Sequence, residues 1–255
     1  MATLTTSPSL PGVAITPDVR AALRAGAAVA IGVSGGKDSS AAALATVQYL
    51  DAIGHTGPRL LVHADLGRTE WQESLPTCEA LAARLGLELL TVRRQAGDML
   101  ARWQGRWANN VQRYAELSCV KLILPWSTAS MRFCTSELKT APICAALAKR
   151  FQGLPIVNVT GICRRESPNR AKSPVSAPNA RLGPQGLDWR PILDWTLDEV
   201  WAAHRDHDLP VHEAYTVYGV SRVSCAWCIL SSRDDMVRAA AHPGNAELYR
   251  AMVDL

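Results

Sequence analysis

Ala28-Val29-Ala30-Ile31-Gly32-Val33-Ser34-Gly35-Gly36-Lys37-Asp38-Ser39 is the stretch whose reading decides the fold. The apolar run Ala28 to Val33 reads as a short strand, and the alanine-rich run Ser40 to Leu50 reads as a helix. A glycine-rich turn at that junction leaves backbone N–H groups free at the helix N-terminus, pointing at whatever sits above it. Gly35 and Gly36 let the backbone approach an anion closely, Lys37 adds a point charge, and Ser34, Ser39 and Ser40 add hydroxyl donors. This chemistry suits a phosphate, above all that of a nucleotide; the plainer reading is a turn that only connects strand to helix. The common P-loop places Ser or Thr directly after its lysine. Here Asp38 follows Lys37, and a carboxylate beside phosphates repels them unless a divalent cation lies between, which points to Mg2+.

The chain has 255 residues, enough for one large domain or a domain with an appendage, and 48% of them are hydrophobic, ample for a packed core. A net charge of +4 fits anionic ligands and is too mild to demand nucleic acid. No apolar stretch approaches a membrane span. The first residues are rich in Ser, Thr and Pro and lack the pattern of a signal peptide, so a disordered tail over residues 1–15 of a cytoplasmic protein is expected. Residues 16–210 would form the nucleotide-binding domain, and residues 211–255 a helical extension of that same domain carrying a Cys-x-x-Cys pair. Seven cysteines in such a chain point to metal or redox chemistry before disulfides. Trp103 and Trp107, on one helix, read as packing residues.

Along the chain, Thr16 to Ala25 reads as a helix capped by Thr16 with Pro17 in its first turn. Arg59 to His63 and Leu87 to Val92 read as strands, separated by a helix from Glu70 to Leu85 with a kink or restart at Pro76. This β-α-β-α-β rhythm predicts an α/β fold, a parallel sheet flanked by helices that binds ligands at the carboxyl ends of its strands. Further helices are expected over Asp98 to Leu117, Leu138 to Phe151 and Leu197 to His204, and from Ser231 onward with a break near Pro243-Gly244. Pro155 to Thr160 reads as a fourth strand. Lys172 to Gly186, with its prolines and glycines, reads as a mobile loop, either a substrate lid or a plain solvent loop. After the second strand, Asp65 and Glu70 could hold a metal or a ribose, and Arg68 could meet a phosphate; helix capping by Thr69-Glu70 is the blander account. Cys78 and Cys144 read as core residues, and His204, His207 and His212 as solvated or capping groups.

The string Ser34-Gly35-Gly36-Lys37-Asp38-Ser39 resembles the PP-loop of the ATP pyrophosphatases, which cleave ATP to AMP and pyrophosphate. Later come Arg132-Phe133-Cys134-Thr135-Ser136-Glu137-Leu138-Lys139 and Gly161-Ile162-Cys163-Arg164-Arg165-Glu166-Ser167-Pro168-Asn169-Arg170. Trp189-Arg190-Pro191-Ile192-Leu193-Asp194-Trp195 and Cys225-Ala226-Trp227-Cys228 follow. In order and spacing, residues 28–250 resemble the PAPS (phosphoadenosine phosphosulfate) reductase family of the PP-loop superfamily. The Arg-x-Cys-Thr-x-x-Leu-Lys form is similar to the DndC-like branch, associated with DNA phosphorothioation, and to phage and CRISPR-associated CysH-like members.

The resemblance implies an adenine nucleotide alpha hydrolase-like fold that binds ATP or a related adenine nucleotide with Mg2+. Ser34, Gly35, Gly36, Lys37, Asp38 and Ser39 would bind its phosphates, with Lys37 and Asp38 catalytic. Asp65 would lie near the nucleotide, while Gly161, Arg164, Glu166, Ser167 and Arg170 would line the substrate side. Cys134, Cys225 and Cys228 match cysteines that hold a 4Fe-4S cluster in relatives that have one. The chain has Phe133-Cys134 where such relatives carry a Cys-Cys pair, which leaves three thiolates, so a cluster, zinc and no metal all stay open. No cysteine follows Cys228, where a reductase of this family would hold its thiolate, which disfavours reduction. Cys163 stands where relatives carry Arg; flanked by Arg164 and Arg165 it reads either as a thiol of lowered pKa that carries sulfur, or as a small buried residue. The implied activity is ATP-dependent adenylation of a substrate for sulfur transfer, in DNA or RNA modification or defence, with a sulfur-donor protein, a nucleic-acid acceptor and a homodimeric state as partners. PAPS or adenylylsulfate reduction, and a non-catalytic nucleotide-binding subunit of a defence complex, are the alternatives.

Overall fold

A computed structural model of the chain describes residues 10–255. Helix α1 (Pro17–Arg24) precedes strand β1 (Ala28–Val33), helix α2 (Lys37–Ala52), strand β2 (Arg59–Asp65), helix α3 (Ser74–Leu85) and strand β3 (Leu89–Arg93). There follow helix α4 (Met99–Ala115), the single turn α5 (Phe133–Thr135), helix α6 (Ala141–Arg150), strand β4 (Ile156–Thr160) and the short helix α7 (Pro168–Ala171). Strands β5 (Ser176–Pro178) and β6 (Leu187–Trp189), then helices α8 (Leu197–Asp206), α9 (Glu213–Thr216), α10 (Arg233–Ala240) and α11 (Ala246–Val253), complete the order. Among the described residues no helix is long and apolar enough to cross a membrane.

The strands form one six-stranded sheet in the order β3-β2-β1-β4-β6-β5. β1 pairs in parallel with both β2 and β4, and β4 with β6, while β5 returns antiparallel at the edge. Ala28, Val29, Ala30 and Ile31 have no exposed surface, as a central parallel strand covered on both faces requires. The alanine run of α2 (Ala41, Ala42, Ala43) is buried too, which lets that helix lie close against the sheet. After β3 the chain crosses to the other side of β1, so strand order reverses between β1 and β4. Such a switch point is where open α/β sheets bind ligands, outside the carboxyl ends of the strands. The glycine turn follows β1 and the Gly161 turn follows β4, on that shared edge.

The chain divides into two compact units rather than one domain with a C-terminal extension. The first runs to His63 and adds Glu73–Leu90 and Cys144–His212; the second comprises Ala64–Gln72, Thr91–Ile143 and Glu213–Leu255. Residues 213–255 thus build a core with the α4 region. In that core Leu66, Trp71, Met99, Trp103, Phe133 and Trp227 are buried together. Trp103 meets Trp126 edge-on at 5.1 Å between ring centroids, and the Trp227 indole donates to the Asn245 carbonyl at 2.8 Å. With eight tryptophans and two phenylalanines in the chain, indoles fill the space that phenyl rings more often fill.

Three expectations change. The expected tail over residues 1–15 lies outside the described residues up to residue 9, but Leu10, Val13 and Ile15 pack on the core of the first unit. The Trp189 and Trp195 indoles donate to the carbonyls of Ala14 at 2.7 Å and Gly12 at 3.1 Å, tying this aperiodic segment down. The expected mobile loop over Lys172 to Gly186 instead holds β5 and a 3-10 turn over Ala180–Leu182, with Ser176 paired to Trp189. Pro76 makes no kink, because α3 begins at Ser74 and the proline falls in the first turn, where its missing N–H costs nothing.

Trp189 has no exposed surface and stands edge-on to Tyr49 at 5.8 Å. Trp189→Ala is expected to destabilise the fold by about 3–5 kcal/mol, measured by urea denaturation; an unchanged midpoint would contradict this role.

Candidate functional site at the switch point

Gly35 has φ +71°, in the left-handed region, and a Cβ there would stand 2.9 Å from His212 Cδ2 and 3.2 Å from the Ser74 carbonyl. Both conformation and space therefore demand glycine. Gly36 is the N-cap of α2 and no side chain caps that helix. The helix begins at Lys37, earlier than the Ser40 expected from the alanine run, so Lys37, Asp38 and Ser39 form its first turn. The N–H groups of a helix's first turn find no acceptor within the helix itself. The Ser39 hydroxyl donates to the Gly36 carbonyl at 2.8 Å and accepts from the Ser34 N–H at 3.3 Å. The Ser40 hydroxyl also donates to Gly36, at 3.3 Å. These hydroxyls close the turn.

Lys37 is only 5% exposed, and its ammonium lies 3.3 Å from one Asp38 carboxylate oxygen. The other Asp38 oxygen is paired with Arg165. Asp38, expected to bridge Mg2+ to the phosphates, is here held between two cations. Underneath, His204 is buried and its Nε2–H donates to the Lys37 carbonyl at 2.9 Å. His212, fully buried, contacts the Ser74 hydroxyl at 3.2 Å. These two histidines brace the turn, contrary to the solvated roles expected for them. Burial holds the His204 pKa below its ordinary value of 6.5, with the Lys37 hydrogen bond opposing.

The turn after β4 completes this side. A Cβ on Gly161 would lie 2.6 Å from the Asp38 carbonyl and 2.7 Å from Ser39 Cα, so glycine is what allows the two turns to touch. Arg164, Glu166, Ser167 and Arg170, expected to line the substrate, here hold their own turn. The Arg164 guanidinium donates to Asp194 at 2.6 Å and to the carbonyls of Ala171 and Ser173, each at 2.7 Å. Glu166 accepts from the Cys163 N–H at 2.9 Å and pairs with Arg170, while Ser167 caps α7 by accepting from the Arg170 N–H at 3.2 Å. Cys163 is fully buried with its sulfur 3.7 Å from Asp38 Oδ1. Burial, with the Asp38 charge adding and Arg165 opposing, pushes its thiol up to about 12. Of the two readings of Cys163, burial favours the small buried residue over a thiol lowered by flanking arginines, because desolvation outweighs them.

The remaining candidates lie in the second unit. Asp65, at the end of β2, accepts from the Gly67 N–H at 2.6 Å and pairs with Arg93. Arg68 grips Asp98 through two bonds of 2.6 and 2.9 Å, a fork on a carboxylate rather than an offered cation. The Cys134 N–H donates to Ser127 Oγ at 3.3 Å and the Cys228 N–H to the Cys225 carbonyl at 3.2 Å. Desolvation pushes the Cys225 thiol up to about 12, with Cys228, Glu70 and Cys134 adding and Lys139 opposing. The three thiols share one electrostatic environment. Among the described residues, however, no group of three or more Cys, His, Asp or Glu is arranged to hold a metal.

A nucleotide-loop α/β sheet with its glycine turn at the switch point defines the PP-loop class. Within it, the chain belongs to the phosphoadenosine phosphosulfate reductase domain family, which matches residues 28–230. An uncharacterized 37.8 kDa protein in the gpa 5' region of Escherichia phage 186 is 27% identical over 247 residues, covering 83% of this chain and 70% of the phage protein. The crystal structure of phosphoadenylyl-sulfate reductase from Candida auris in a phosphate complex superposes with a TM-score of 0.51 at 16% identity, over 82% of this chain and 86% of that one. That likeness is one of fold.

Two outcomes test the bracing of the turn. Gly161→Ala is expected to lower thermal stability, since its methyl would have to displace the Asp38 backbone; a melting temperature equal to the parent's would contradict the contact. His204 binds a proton more weakly folded than unfolded, so its contribution is fully present above pH 6.5 and is lost as pH falls below that value. Melting curves at pH 7.5 and 5.5 should therefore show a smaller acid loss in His204→Gln than in the parent.

Proposed function

We propose that this chain binds ATP or a related adenine nucleotide at the Ser34–Ser39 turn and cleaves ATP to AMP and pyrophosphate, adenylating an acceptor for sulfur transfer. The observation that carries this reading is the uncapped N-terminus of α2, opening at the sheet's switch point beside the buried Lys37. The N–H groups of a helix's first turn and a desolvated ammonium together suit an anion. In the reaction, an acceptor oxygen attacks the α-phosphorus and the bond to the bridging oxygen breaks, releasing pyrophosphate. Lys37 and the backbone donors of the first turn stabilise the charge that develops on the phosphate oxygens. A sulfur nucleophile, delivered by a donor protein, then displaces AMP from the adenylated acceptor. A nucleic-acid acceptor, as in the DndC-like branch, and a homodimeric assembly belong to this proposal, as does a cytoplasmic setting.

Cys163, the thiol beside the loop, is fully buried against Asp38, an environment that disfavours the thiolate a reduction would need, which supports adenylation over PAPS reduction. The pairing of Asp38 with both Lys37 and Arg165 favours, as a second reading, a nucleotide-binding subunit without turnover.

Anaerobically purified protein supplied with ATP and Mg2+ is expected to release pyrophosphate, and Lys37→Ala to lose at least about tenfold of that rate, the effect of one charge-assisted bond. Tight nucleotide binding without release would select the subunit reading. Visible absorbance of the same sample reports on a cluster.

A further inference from the structure

The turn over Cys163 to Arg170 carries three arginines, and the structure uses them unequally. Arg164 is consumed by Asp194 and two carbonyls, and Arg170 by Glu166. The backbone is fixed as well, with the Arg164 N–H on the Leu193 carbonyl at 2.9 Å and the Glu166 N–H on the Cys163 carbonyl at 3.2 Å. Only Arg165 turns its guanidinium onto the first turn of α2, where it meets Asp38 and stays 28% exposed. The thiol of Cys163 lies against that same Asp38 oxygen, at 3.7 Å. A rigid mount thus presents one reachable guanidinium beside Lys37, parked on a carboxylate.

We infer that Arg165 is the second cation of the phosphate site, released from Asp38 when a polyphosphate enters, and that it selects nucleoside triphosphate or pyrophosphate over nucleoside monophosphate. This rests on the proposed nucleotide site and adds a residue to it. The physical reason is charge. In the structure Lys37 and Arg165 share one carboxylate, so the trio is net positive by one. A single phosphate is satisfied by the helix N–H groups and Lys37. A chain of phosphates carries further negative oxygens that outcompete one carboxylate for a guanidinium, which binds phosphate through two parallel bonds. Cys163, being buried, cannot supply that contact; Arg165 reaches the same oxygen from the solvent side.

Equilibrium titrations of ATP, inorganic pyrophosphate and AMP against the parent, Arg165→Ala, Arg165→Lys and Lys37→Ala decide the matter. Arg165→Ala is expected to weaken ATP and pyrophosphate by about tenfold or more, the effect of a lost charge-assisted bond, and AMP by less than about threefold. Arg165→Lys should recover part of the loss, as a point charge does without the fork. A merely structural role for Arg165 would weaken all three ligands together and is refuted by the selective pattern. If the parent binds ATP and Lys37→Ala does not, but Arg165→Ala binds ATP as the parent does, the inference falls while the nucleotide site stands. If the parent binds none of the three ligands, the site itself falls.

Discussion

Everything at the candidate site depends on one electrostatic constraint: α2 starts directly out of the central strand of the sheet with no side chain to cap it. A helix N-terminus carries partial positive charge and unpaired donors, and near a buried core these require a partner. The charges near this helix start are compensated among themselves. Asp38 sits in the first turn, where an acidic residue is favourable, and it neutralises both the buried Lys37 and the guanidinium arriving from the β4 turn. The buried ammonium thus has a counter-charge before any ligand arrives, which makes its burial tolerable.

The second constraint is steric. Gly35 must clear His212 and Ser74, and Gly161 must clear the backbone at Asp38 and Ser39. His204 then fixes the Lys37 carbonyl from below. Three segments distant in sequence, α3, the β4 turn and α8, converge on one glycine turn, and each contact restricts where that turn can go.

Much of this was legible from the chain. The strand, the glycine turn and the following helix are local chemistry, so Ser34 to Ser39 could be read as a phosphate loop, and the alternation of strands and helices announced a parallel sheet. What was not legible is long-range. Nothing local to His204 or His212 marks them as braces, because their partners Lys37 and Ser74 lie far away in sequence. β5 and β6, three residues each, are too short to show a period and take their form from pairing, β6 with β4 and β5 with β6. Arg164 and Arg165 are neighbours of the same type, and only their opposite directions in space separate a structural arginine from one facing the loop. The two readings of Cys163 stayed open for a related reason: charge is visible in sequence, whereas burial is not.

The absence of room for a single methyl group at Gly161 reaches further than packing. With the two turns in backbone contact, neither can swing without the other, so the edge behaves as one stiff body. The groups left able to answer an arriving anion are side chains, which change rotamer on picosecond to nanosecond timescales, far faster than loops or domains rearrange. An anion site of the proposed kind would meet its ligand already shaped. Its filling would then be set by diffusion and by the release of Arg165 from Asp38, not by the folding of a lid.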